Sequence, residues 1–387
     1  MKHISCVVLA FACLVGAVPV WAQDAPSMGL NARAALLMEA STGKVLLEQN
    51  AHDKLPPASV TKVMTLLLVY EALEDGKIKL EDMVTVSAHA AGMGGSQIFL
   101  EPMQQKNVSD LLKSVVIASA NDASVALAEF IAGSEEGFVV MMNNRAKELG
   151  MNDTNFVNAC GLDADGHVTS AYDIALMSRE LINNHPEVFE FSTIWMDTIT
   201  HRTARGEEEF GLNNTNRLIR SYSGATGLKT GSTSKALYCI SATATRDEMS
   251  LISVIMAAPD PSTRFHEAMK MLDYGFANFA VALGEDEGTA MGYVNIVKGE
   301  TEQAEVVVKK QVGFLVGKGK NRHMEHRIEM LDGLQAPAAE GAKAGEIIYF
   351  QDGKEVGRSD LIITKGIAKA SLYDIIGRVV RDALKVS

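Results

Sequence analysis

Ser59 and Lys62 stand three residues apart, and their side chains are of the types that perform covalent catalysis. On a helix, positions i and i+3 share a face, so the amine of Lys62 can reach the hydroxyl of Ser59. A serine hydroxyl is a weak nucleophile until a neighbouring base takes its proton, and a desolvated lysine can be that base. The apolar run that follows, Val63, Met64, Leu66, Leu67, Leu68, Val69 and Leu73, reads as a buried helix from near Ser59 to Asp75-Gly76. The first turn of that expected helix would offer free N–H groups and a positive dipole end to an oxyanion. The spacing alone decides little, because Ser-x-x-Lys recurs as Ser41 to Lys44 and as Ser232 to Lys235. The first of these reads as a hairpin turn and the second as a loop entering a strand. A capping serine with a snorkelling lysine would give the same pattern without chemistry.

Two further stretches could complete a site. Ser119-Ala120-Asn121-Asp122 interrupts a helical block, and Lys229-Thr230-Gly231 lies ahead of a β-rich run. The elements that would position them follow from periodicity. Ala34 to Met38 and Val45 to Leu47 flank Ser41-Thr42-Gly43 as a hairpin. Val84-Thr85-Val86 is a short strand candidate, and Ala91 to Ser96 is a flexible, glycine-rich loop that could flank a cleft. Helical patterns cover Val108 to Ile117, Ala123 to Ile131, Glu135 to Leu149 and Ala171 to Ile182, with residues 151–169 as loop. Tyr238 to Thr245 and Met249 to Ala257 form a second hairpin around Arg246-Asp247, and Pro261 starts a helix through Phe265, Met269, Leu272, Phe276 and Phe279. A hairpin, a long helical insert, another hairpin and a terminal helix predict an α/β (α+β) fold: an antiparallel sheet flanked by helices, in which the two ends meet.

Composition narrows the function. The net charge of -12, without a basic block and with few aromatics, disfavours nucleic-acid binding. Residues 1–22 carry Lys2 and His3 ahead of an apolar stretch from Ile4 to Trp21, which reads as an export signal cut after Ala22; an uncleaved membrane anchor is the alternative. Cys160 and Cys239 would remain as free thiols, Cys160 in a loop and Cys239 buried in a strand. Residues 23–284 form the first domain, and residues 285–366 form a small β-rich one. His323 and His326 lack a third ligand at metal spacing, so neither a metal nor another cofactor is implied. Within 367–387, Leu372, Ile375, Ile376, Val379, Val380, Ala383 and Leu384 make an apolar helical stripe. That helix would either lie on a membrane surface or dock on the β-rich domain.

In order, Ser59-x-x-Lys62, Ser119-Ala120-Asn121 and Lys229-Thr230-Gly231 form the motif trio shared by penicillin-binding proteins and class A β-lactamases. Around it, Ala58 to Thr65, Gly94 to Leu100, Ala118 to Ser124 and Thr226 to Gly231 resemble the low-molecular-mass penicillin-binding proteins that are D-alanyl-D-alanine carboxypeptidases of peptidase family S11, most of all their sporulation-type branch. The similarity runs through about residues 30–280; the β-rich domain and tail fit in layout more than in motif. The resemblance implies the penicillin-binding/β-lactamase-like transpeptidase fold. It also implies peptidoglycan stem peptides ending in D-Ala-D-Ala as substrate and β-lactam antibiotics as inhibitors.

By that resemblance, Ser59 attacks the carbonyl between the two D-alanines and Lys62 is the general base. Ser119 and Asn121 carry proton traffic and hold the substrate amide. Lys229 supports the Ser119 path and, with Thr230 of the Lys-Thr-Gly that Gly231 closes, faces the terminal carboxylate. The backbone N–H groups of Ser59 and Ser232 form the oxyanion hole, and Arg264 helps bind the carboxylate unless it is merely an exposed helix-start arginine. Two positions depart from the family. Ser232 stands where many relatives have His, Tyr or Phe, and Thr215 stands where some have arginine. A class A β-lactamase would need a glutamate after Ser119-Ala120-Asn121 for the deacylating water, and residues 150–169 contain none. A D,D-endopeptidase of the same fold and a non-catalytic wall-binding scaffold are the rival readings.

Overall fold

The computed structural model describes residues 28–203, 206–319, 325–351 and 353–377. The proposed export signal, most of the C-terminal stripe and His323 lie outside these residues. Five strands form an antiparallel sheet in the order Val45–Gln49, Ala34–Glu39, Met249–Ala258, Leu237–Arg246 and Ala225–Thr233. The predicted meeting of the two ends is therefore literal, with Ala34 paired to Met256.

Side-chain alternation explains why the central strands are apolar on both faces. Leu36, Met38, Val254 and Met256 point into one core, shared with the helices Lys62–Glu74 and Ala171–Asn184. Ala35, Leu37, Ile240 and Ile255 point into another, closed by Phe265, Met271 and Leu272 of the helix Pro261–Asn278. Asp260 caps that helix by accepting from the N–H groups of Ser262 and Thr263.

The first hairpin turns where predicted. The Glu39 carboxylate accepts from the backbone N–H groups and hydroxyls of Ser41 and Thr42. In the second hairpin the loop is Asp247-Glu248, one residue later than expected. Both residues have positive φ, the two-residue geometry that matches strand twist.

Other boundaries also move. The chain around Ser59 is a 3-10 turn, Ala58–Thr61, and the α-helix begins only at Lys62. Ser232 and Thr233 belong to the edge strand itself and not to a loop before it. The last helix stops at Asn278, because Phe279–Leu283 is a strand paired with Gly313–Gly317. Several elements gave no expectation: the short helices Ala88–Ala91, Val188–Ser192 and Leu218–Ser221, the strand Gln105–Asn107, and the ribbon Met196–Thr203 with Gly206–Asn213. Among the ribbon's described residues Ile199, His201 and Leu212 are buried, and Phe210 packs against the main core.

Beyond Gly284 a six-stranded sheet takes the order Glu325–Met330, Lys343–Gln351, Lys354–Ile363, Gln303–Val308, Ala290–Val297 and Leu334–Gln335. Val306, Val308, Ile347, Leu361 and Ile363 fill its own core. Tyr349 covers Gly284 and accepts a hydrogen bond from the backbone of Glu285. Residues 372–377 are helical, opened by a reciprocal cap between Ser371 and Asp374.

Candidate active site

Lys62 is fully buried, and its amine reaches three oxygens. Its Nζ donates to Ser59 Oγ at 3.0 Å, to Asn121 Oδ1 at 2.6 Å and to the Cys160 carbonyl at 2.6 Å. Burial brings its pKa down to about 8, with the opposing charges of Cys160 and Asp122 working the other way. A lysine so placed is a base within hydrogen-bond reach of a serine hydroxyl, which is the geometric requirement for activating it.

The turn that carries Ser59 is held in an unusual shape. Ala58 has φ +48°, and two glycines crowd the turn from either side. A Cβ on Gly231 would lie 2.8 Å from Ser59 N and 3.0 Å from Pro57 O. One on Gly161 would lie 1.9 Å from the Ala58 carbonyl. Backbone can approach backbone this closely only where side chains are missing. The Lys-Thr-Gly glycine therefore lets the edge strand pass directly against the nucleophile turn.

Ser119 adopts φ +62° in the connection between the helices Val108–Ile117 and Asn121–Ala132. Asn121 then faces Lys62 and also donates through Nδ2 to the Gly94 carbonyl at 2.6 Å. Its backbone N–H donates to Ser96 O, while the Asp122 carboxylate accepts from the N–H groups of Ile98 and Leu100. The glycine-rich loop, expected to be flexible, is tied to the start of that helix by these bonds.

The edge strand supplies the opposite wall. Lys229 is fully buried, donates to the Thr230 carbonyl at 3.2 Å, and is held well below the usual lysine range by burial and then by the charges of Lys62 and Arg264. Thr230 Oγ1 donates to Thr215 Oγ1 at 2.7 Å, so the position where some relatives have arginine sits beside the motif threonine. Ser59, Ser119, Thr230, Gly231, Ser232 and Arg264 all line one cleft of about 460 Å³. Arg264 is buried, not an exposed helix-start residue. Its guanidinium donates to the Gly231 and Cys239 carbonyls and lies over the Phe265 ring, and burial lowers its pKa to about 10.

Ser59, Lys62, Ser119, Asn121, Lys229, Thr230, Gly231, Ser232 and Arg264, the residues expected at the site, thus come together around one cleft. Several contributors were not singled out. Ser96, Trp195 and Arg217 also line the cleft. His167 is buried behind the nucleophile: its Nδ1 accepts from the Val157 N–H, which leaves Nε2 as the donor to Thr61 Oγ1 at 2.8 Å. Asn158 accepts from the N–H groups of Cys160 and Gly161, and Glu135 accepts from Ala159. These bonds fix the loop whose carbonyl meets Lys62. Cys160 is buried within that loop, as Cys239 is within its strand, and both are unpaired.

The family model for D-alanyl-D-alanine carboxypeptidase matches residues 21–260, and that for the C-terminal domain of penicillin-binding protein 5 matches residues 286–369. The chain belongs to the D-alanyl-D-alanine carboxypeptidase family. Among relatives of this family, D-alanyl-D-alanine carboxypeptidase DacF of Bacillus subtilis is 40% identical over 92% of this chain and 90% of its own length. D-alanyl-D-alanine carboxypeptidase DacC of Escherichia coli is 36% identical over 92% and 88%. Penicillin-binding protein 5 from Haemophilus influenzae superposes with a TM-score of 0.73 at 32% identity, covering 88% of this chain and 98% of that one. Penicillin-binding protein D2 from Listeria monocytogenes, solved with ampicillin bound, superposes with a TM-score of 0.57 at 35% identity over 65% of this chain and 100% of its own. The family and fold expected from the motif trio hold, and with them the serine carboxypeptidase class.

Proposed function

We propose that this protein removes the terminal D-alanine from peptidoglycan stem peptides ending in D-Ala-D-Ala, through an acyl-enzyme on Ser59. The observation that carries the assignment of Ser59 and Lys62 is the buried amine 3.0 Å from the hydroxyl, with a pKa of about 8. Lys62 takes the Ser59 proton as Oγ bonds to the penultimate D-alanine's carbonyl carbon. The C–N bond to the last residue then breaks, and the proton passes to the leaving amine, by way of Ser119 and Lys229. Asn121 holds the substrate amide. Thr230 and Arg264 face the terminal carboxylate at the end of the edge strand that Gly231 brings against Ser59. The N–H groups of Ser59 and Ser232 receive the oxyanion. Water then clears the acyl group. β-Lactams imitate the dipeptide and acylate the same hydroxyl.

Residues 1–22 act as the export signal, 23–284 as the catalytic domain and 285–366 as the β-rich domain. The helix expected over 367–387 does not begin at 367: Ile367 and Lys369 still bridge to Ala338 and Gly299 of the β-rich domain, and the described helical residues are 372–377. The protein works outside the cytoplasm, at the cell wall and the outer face of the membrane. Leu372, Tyr373, Ile375 and Ile376 are exposed and do not dock on the β-rich sheet, which supports peripheral membrane contact over the docked alternative. Among the described residues, no helix is long and apolar enough to cross a membrane.

Intact-protein mass after incubation with benzylpenicillin tests the assignment. The wild type gains one adduct and a Ser59→Ala variant gains none. A folded wild type that stays unmodified would leave the scaffold reading in front. Release of free D-alanine from a D-Ala-D-Ala peptide, set against cleavage of a cross-linked dimer, separates carboxypeptidase from endopeptidase.

A further inference from the structure

The far end of the Lys62–Glu74 helix forms a second cavity, of about 420 Å³, away from the catalytic cleft. This volume falls in the ~300–1,000 Å³ range of small-molecule sites. Its lining is apolar at Leu73, Leu80 and Phe191 and acidic at Glu74, Glu187 and Glu190, with no lysine or arginine among the lining residues. Tyr70 lines the same cavity, is 6% exposed, and its hydroxyl has no hydrogen-bond partner among the described residues. The Tyr70 ring stacks on His185, with centroids 6.2 Å apart and planes 25° apart. Burial, then the nearby carboxylates of Glu190 and Glu187, push the Tyr70 hydroxyl up, so it stays protonated.

These features select one ligand chemistry. An unpartnered buried hydroxyl needs a polar group within the cavity, because leaving it unsatisfied costs free energy. The three carboxylates and the negative end of the helix exclude an anion and favour a cation. Aromatic and aliphatic walls favour an apolar body behind that cation, and ring faces add cation–π attraction. We propose that this cavity binds a small primary amine carrying an apolar body, its ammonium donating to Tyr70 Oη and facing Glu187 and Glu190. Because Tyr70 shares a helix with Lys62, an occupant there contacts the same rigid element that positions the catalytic base.

Calorimetric titration of the full chain with 2-phenylethylamine is the test, alongside the neutral isostere 2-phenylethanol and the anion 3-phenylpropionate. The amine binds saturably at one site, and the other two do not. The double variant Glu187→Gln/Glu190→Gln, altered only in surface carboxylates, weakens binding on the order of ten-fold. Tyr70→Phe, which keeps the ring, weakens it several-fold. Binding persists after Ser59 has been acylated with benzylpenicillin. Unchanged affinity in the double variant, equal binding of the alcohol, or loss of binding on acylation would each overturn the proposal. So would no binding by a wild type that still acylates.

Discussion

At the scale of single residues, Lys62 is kept reactive by what surrounds it. A fully buried amine prefers to be neutral, and only the neutral form can take the serine proton. The rate of acylation by benzylpenicillin should therefore rise with pH through about 8 and level off above it, as stopped-flow acylation across pH 6 to 10 would show. Lys62→Ala should lower that rate by about 10²–10⁴-fold, the usual contribution of a positioned base. A flat profile would remove Lys62 from the role. The proposed catalytic residues were legible in the sequence because each stands in a short motif and the three motifs occur in order. Asp122, Asn158 and His167 were not. Each is a single polar residue in an unremarkable stretch, and its partners are backbone groups that only folding brings near. Arg264 was half legible: the family resemblance implied carboxylate binding, but its burial depends on the packing of Phe265 and Tyr238.

At the scale of elements, two contacts set the site. The first is the edge strand against the 3-10 turn. In Gly231→Ala the new methyl group would meet Ser59 N, Pro57 O and Ala58 Cβ of that turn, so the strand must retreat. We expect a loss of about 1–3 kcal/mol, typical of overpacking, with a fall in acylation rate larger than the fall in stability explains. Thermal melting and acylation measured on the same sample would separate the two. The second contact is the loop 151–169 against the nucleophile turn, held by His167 on Thr61. Burial lowers the His167 pKa from its ordinary value of about 6.5 to about 4. Between those values the unfolded chain binds more protons than the folded one, so stability falls as pH drops through this window. The expected loss is about 2–3 kcal/mol by pH 4. Denaturant titration of the wild type and His167→Gln at pH 7 and 4.5 would show a smaller pH effect in the variant.

The helices and both hairpins of the first domain could be read from hydrophobic period and turn residues. The ribbon 196–213 could not, since most of its residues are polar and few apolar ones, Ile199 and Leu212 among them, mark the buried side. The strand Phe279–Leu283 was missed for another reason. Phe279 falls on the helical stripe of the preceding segment, and only its pairing with Gly313–Gly317 reveals the change.

At the scale of the whole molecule, every residue lining the catalytic cleft lies between Ser59 and Phe265. The β-rich sheet contributes none. A chain ending at Gly284 should keep its acylation rate within about two-fold, because no group facing the reaction is removed. It should aggregate more readily, since Phe279–Leu283 loses its partner strand and becomes an open edge. Light scattering beside the acylation assay would test both halves. The Listeria D2 structure, matched along its whole length over 65% of this chain, is consistent with a unit that stands without the β-rich sheet. That sheet was legible as β from its alternation and short apolar runs; its strand order was not, because the order places residues 303–308 beside 354–363 across a long stretch of chain.

The pairing of Ala34–Glu39 with Met249–Ala258 also has a bearing on timing. Ribosomes make the first strand long before its neighbour, and Ser59 and Lys62 before the Lys229 wall they work against. A nascent chain thus holds nucleophile and base with no cleft to use them in. The central sheet cannot close until nearly the whole first domain is available, and such distant pairings form slowly. A topology that delays its own completion would suit the export proposed for this chain.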